Sequence, residues 1–205
     1  MKKSSTKPKG ATSYKETAYG VLNRSELLAL EIEGTQKGIE YIAANYEREI
    51  TPELILVIHK IAFGWIFPDW AGKFRTIRVE YSGKEAVLPH LVPQLIVNLC
   101  ADLFERLNHL DRENMQMVVE LLAWFQHRFV QIHPFQDYNG RIARMLTICI
   151  LLRLGLPPIE IKADKDIDRQ KYLNAMYSAD EGDYWQLEHL IAVALNESLV
   201  KINNS

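Results

Sequence analysis

Along most of this chain apolar residues recur every three or four positions, the spacing that keeps one face of an α-helix dry. Residues 25–32, SELLALEI, predict a helix capped by Ser25 and closed by Gly34, and residues 36–46 predict a second. Thr51-Pro52-Glu53 carries the start signals of a third: a hydroxyl at the cap and proline at the first helical position. Residues 92–107, 169–178 and 185–200 read as further helices. The segments 115–130 and 142–154 are apolar almost all round, which places them at the centre of the molecule, and Gly155 and Pro157 stop the second.

Residues 74–88, FRTIRVEYSGKEAVL, break the helical pattern. Their β-branched and aromatic residues lie on both sides of Ser82-Gly83, which predicts a short β-hairpin turning there. The expected fold class is therefore all-α, a helical bundle carrying one short hairpin whose edge another chain could extend.

At 205 residues the chain is long enough for one well-filled core, and we expect a single domain over 15–205 preceded by a disordered basic tail over 1–14. A net charge of −2 gives no general attraction to nucleic acid or membrane. The longest apolar stretch, 145–154, is too short to span a bilayer and contains Arg153. No signal-peptide core follows the basic start, and Cys100 and Cys149 lack metal or disulfide spacing. A cytoplasmic protein with both cysteines in its core is expected; self-association is compatible with the chain.

The loop joining the two central helices, HPFQDYNGRIAR over 133–144, carries the chemistry. Pro134 biases His133 towards an extended conformation, and Asn139-Gly140 reads as a turn from which Asn139 can cap the next helix. A helix start offers free N–H groups and partial positive charge, a ready anion site. Arg141 and Arg144 would add unfavourable charge there unless a multiply charged anion, such as a polyphosphate, lies across them. Asp137 has the lone carboxylate that Mg²⁺ typically takes beside phosphates. His133 suits a general base at neutral pH, and Phe135 suits an apolar anchor for the loop.

These residues resemble the Fic motif, HPFx(D/E)GNGRxxR, with one departure, Tyr138 in place of glycine. GKFRTIRV at 72–79 is similar to the lead into the Fic flap hairpin, and KYLNAMYSADEGDYWQL to the helices after the core. The resemblance implies a Fic-type helical bundle and transfer of AMP from Mg·ATP to a Ser, Thr or Tyr hydroxyl of a target protein. It implies His133 as base, Asp137 as Mg²⁺ ligand, Asn139 and Gly140 in the anion hole, and Arg141 and Arg144 on the β- and γ-phosphates. Phe135 would anchor the loop, and the Tyr81-Ser82-Gly83 flap would pair with the target's extended backbone. ALEIEG at 29–34 resembles the family's inhibitory helix, (S/T)xxxE(G/N), with Ala29 in the hydroxyl position. That likeness puts Glu33, followed by Gly34, opposite Arg144 as an auto-inhibitor. Transfer of UMP, phosphate or phosphocholine by the same fold, or a silent nucleotide- or protein-binding module closed by Tyr138, are the alternatives. At position 138 a φ above zero would cost a residue with a Cβ about 1–2 kcal/mol.

Overall fold

The computed structural model describes residues 17–81, 84–163 and 166–204. The basic tail expected over 1–14 and the hairpin turn at Ser82-Gly83 lie outside the described residues. The helical and hairpin expectations hold. Among the described residues seven α-helices run in the order α1 (Arg24–Asn45), α2 (Pro52–Phe63), α3 (Val92–Asn108), α4 (Met115–Ile132), α5 (Asn139–Arg153), α6 (Asp166–Asp180) and α7 (Trp185–Asn203). Strands β1 (Glu80–Tyr81) and β2 (Lys84–Glu85), between α2 and α3, pair antiparallel with Glu80 opposite Glu85 and Tyr81 opposite Lys84.

The two segments read as apolar all round are the centre. α4 packs on α3, α5, α6 and α7, while α5 also carries α1 and α2. Phe125, Phe129, Leu122, Leu146 and Ile150 are fully buried between them, the close-packed interior that two such helices require. Cys100 and Cys149 are buried free thiols, as expected. No helix among the described residues is long and apolar enough to cross a membrane.

The first helix differs from expectation. Gly34 does not end it: α1 continues for 22 residues, capped by Asn23 rather than Ser25, in a reciprocal capping box with Glu26. Its buried residues are Leu27, Glu31, Gly34, Gly38 and Ile42, the three- and four-residue spacing of one helical face. Gly34 lies where α1 crosses α2 so closely that a Cβ would come 2.1 Å from the Ala62 carbonyl oxygen. It is a contact glycine, not a helix terminator.

Candidate functional site

The loop 133–138 joins α4 to α5 through two left-handed residues, His133 (φ 52°) and Tyr138 (φ 63°). His133 leaves the helical region as Pro134 requires, by the left-handed route instead of the extended one expected, and so caps α4 with a sharp turn. Tyr138, not Asn139, is the residue before α5. Asn139 is the first helical residue, buried, with its side chain accepting from the Phe135 N–H (2.8 Å) and donating to the Phe135 carbonyl (2.9 Å). That amide is therefore committed to holding the loop. The anion-binding groups left at this helix start are the amides of the first turn, which have no intrahelical acceptor.

Phe135 is fully buried, its ring stacked on His59 at 3.7 Å and in contact with Phe74 and Phe129. The anchor has the apolar setting expected of it. His59, on α2, was not singled out by the sequence pattern. It receives the Gly72 N–H on Nδ1 (2.8 Å) and faces the Asp137 carbonyl through Nε2 (3.3 Å). An amide only donates and a carbonyl only accepts, so the ring is the neutral Nε2–H tautomer. Burial pushes its pKa down to about 4, against a smaller upward pull from the Asp137 carbonyl.

Arg75 is a second unforeseen residue. Fully enclosed, it donates to the carbonyls of His133 (Nε, 2.7 Å), Ile77 (Nη1, 3.0 Å), Val87 and Ile132, and its own N–H binds the Pro134 carbonyl. One guanidinium thus joins the root of the hairpin to the loop. Tyr81 of β1 lies over His133, ring centroids 4.9 Å apart and planes 14° from parallel. Nδ1 of His133 donates to the Val130 carbonyl (3.1 Å), which leaves the lone pair on Nε2. Burial lowers this ring's pKa to about 4, with the Val130 bond opposing and the Arg75 charge adding. At neutral pH the imidazole is uncharged and able to accept a proton.

Beyond the loop, a cavity of about 390 Å³ is lined by His133, Asp137, Tyr138, Asn139, Gly140, Arg141 and Arg144, with Glu31 of α1 on the far wall; its size is that of a small-ligand site. Arg24 and Arg169 add two cations, so four arginines face two carboxylates, Glu31 and Asp137, in a chain of net charge −2. Arg144 lies over the buried Tyr172 ring at 5.5 Å. Arg141 gives Nη2 to Glu31 (2.8 Å), while its Nη1 is buried and finds no hydrogen-bond partner among the described residues. A buried guanidinium nitrogen left in that state calls for an acceptor, and a phosphate oxygen supplies one.

Glu33 is not where the inhibitory-helix motif put it. Glu33, expected opposite Arg144, points away from the cavity, 55% exposed, and pairs with Lys37 (2.8 Å). Residues two apart on a helix point about 200° apart, so a face carrying Leu27, Glu31 and Gly34 cannot also carry Glu33. Glu31, 5% exposed, is the acid within: Oε2 takes Arg141 and Oε1 takes the Tyr138 hydroxyl (2.8 Å). The Tyr138 ring stacks on Phe63 at 4.0 Å, which holds that hydroxyl in place. Burial, then the Glu31 carboxylate, raises the phenol's pKa, so Tyr138 donates to Glu31 at any physiological pH.

The comparisons with known proteins bear on the family and the fold. Residues 49–151 match the model of the Fic/DOC family. The chain belongs to the Fic/DOC family. It is 31% identical over 171 residues to protein adenylyltransferase Fic of Drosophila persimilis, covering 82% of this chain and 32% of that protein. Protein adenylyltransferase fic-1 of Caenorhabditis briggsae is 35% identical over 143 residues, 69% of this chain and 26% of its own. The chain thus spans about a third or less of these curated relatives. Among solved structures, BepC of Bartonella tribocorum with bound AMPPNP superposes with a TM-score of 0.64, at 18% identity, over 91% of this chain and 94% of that one. The Fic fold is therefore established for the bundle described above.

Proposed function

We propose that this Fic domain transfers AMP from Mg·ATP to a Ser, Thr or Tyr hydroxyl of a target protein and is restrained by Glu31. One observation carries the reading: a neutral imidazole with its lone pair on Nε2 lines the same cavity as two α5 arginines and the start of that helix. The adenylyltransferase names of the curated relatives and the AMPPNP in BepC support a nucleotide in this cavity.

The target hydroxyl oxygen attacks the α-phosphorus, its proton passes to His133 Nε2, and the bond to pyrophosphate breaks. Arg141 and Arg144 neutralise the departing β- and γ-phosphates, which is where charge grows. Asp137 is the carboxylate suited to Mg²⁺: of the two acids lining the cavity, Glu31 is taken by Arg141 and Tyr138, and water and phosphate oxygens would complete the shell around an ion on Asp137. The ion would supply charge neutralisation on the phosphates. β1 and β2 would offer the target's backbone an edge, with Tyr81 beside the base.

Restraint follows from Glu31. With Arg141 engaged by a carboxylate, a phosphate must displace that carboxylate to gain the same donors. The test is intact-mass spectrometry after incubation with Mg·ATP. Glu31→Gln protein should gain one AMP residue on itself or an added acceptor, and Glu31→Gln/His133→Ala should gain none. Label from α-labelled but not γ-labelled ATP identifies adenylyl transfer; label from γ alone would replace this reading with phosphoryl transfer. Tight nucleotide binding without transfer would make the chain a binding module.

A further inference from the structure

His127, Asp180, Tyr184 and Lys84 form a chain of contacts outside the phosphate cavity. His127 is buried in α4, with Nδ1 on the Tyr184 hydroxyl (2.9 Å) and Nε2 on Asp180 Oδ1 (2.9 Å). Asp180, the last residue of α6, gives its other oxygen to Lys84 of β2 (2.9 Å), whose ammonium also lies 5.9 Å from the Tyr177 ring. In the two-stranded register Lys84 stands opposite Tyr81, the residue stacked on His133. The root of the hairpin is fixed by Arg75. Beyond that root, past the hydrogen bond from the Ala86 N–H to the Val79 carbonyl, the described part of the ribbon meets the helical body side by side through Lys84 on Asp180 and Tyr81 on His133.

We infer that Asp180 and Lys84 are a positioning pair that draws the hairpin over His133, with His127 holding the Asp180 carboxylate at the height that seats Tyr81 on the imidazole. His127 lies far along α4 from the loop, and a histidine enclosed to 3% exposure needs both ring nitrogens satisfied. Its two partners are the Asp180 carboxylate, which binds Lys84 of the hairpin, and the Tyr184 hydroxyl. Lys84 keeps nearly half its side chain in water, so the pair is weak, and breaking it should let the ribbon lift more often. Asp180 is kept ionised: burial opposes its charge, but the bonds from His127 and Lys84 win and lower its pKa.

The inference rests on His133 as the base, and its test reads His133 without requiring any transfer. Diethyl pyrocarbonate modification of the full chain, quantified on the peptide containing His133, reports how often Tyr81 lifts away. Lys84→Met should raise the His133 rate about two- to fivefold at low salt, the range an exposed ion pair sets, and Lys84→Arg should stay near wild type. Added salt should raise the wild-type rate towards that of Lys84→Met and leave the variant unchanged. Asp180→Asn should raise it similarly, and the double variant should be no faster than either single one. Equal His133 rates in wild type and Lys84→Met, or effects that add in the double variant, would overturn the inference even if AMP transfer were demonstrated. A confirmed coupling with no AMP transfer would leave the pair standing and remove the proposed reaction.

Discussion

Tyr138 occupies a backbone conformation that is unfavourable for any side chain by about 1–2 kcal/mol. Stacking on Phe63 and the hydroxyl bond to Glu31 offset that strain. The consequence is a carboxylate gripped from two sides, by a phenol and by a guanidinium. Removing its charge in Glu31→Gln deletes a charge-assisted bond worth about 1.5–3 kcal/mol, so Mg·ATP affinity measured by calorimetry should rise roughly 10- to 100-fold. Tyr138→Phe keeps the ring stack and loses only the hydroxyl; a rise of about three- to tenfold in the same measurement is expected. Glu33→Gln, whose carboxylate serves Lys37 in solvent, should leave that affinity unchanged. Equal gains from Glu31→Gln and Glu33→Gln would mean that helix charge, not the grip on Arg141, governs nucleotide entry.

At the scale of elements, α1 reaches the cavity because it can approach α2 and α5 closely, and two glycines permit this. A Cβ at Gly34 would collide with backbone, whereas one at Gly38 would meet the flexible end of Met145. Gly34→Ala should therefore lower stability by about 1–3 kcal/mol, seen as a fall in Tm of roughly 3–10 °C, and Gly38→Ala by less. The same contact explains what the sequence concealed. Period and composition announced the helices, the hairpin and the loop, since those depend on local spacing. The inward residue of α1 depended on reading Gly34 as interior: once the helix continues, the set 27, 31, 34, 38 and 42 selects Glu31 at once. Short motifs favoured Glu33 because they match letters and not faces. His59 and Arg75 had no such signal, since their partners are backbone groups far along the chain.

At the scale of the molecule, two buried imidazoles make the fold sensitive to acid. His59 and His133 titrate near 6.5 when unfolded and at about 4 when folded, so the folded state binds fewer protons between those values. Their stabilisation is fully present above about pH 6.5 and is lost as pH falls through the window to about 4. Each shift amounts to at most about 3 kcal/mol, and thermal melts across that range should show Tm declining by on the order of 10–20 °C. A melt unchanged between about pH 6.5 and 4.5 would mean that neither ring is enclosed as described. Arg75 has a different molecular consequence. Because its donors hold the carbonyls of Ile77 and Val87 on one side and of Ile132 and His133 on the other, the distance from ribbon root to His133 is set by a single rigid fork. If the chain acts on proteins as proposed, the stretch between Ile77 and Val87, Tyr81 and Lys84 excepted, is thereby an exchangeable cassette: its other letters could drift to suit a new client while the spacing to His133 stays as it was.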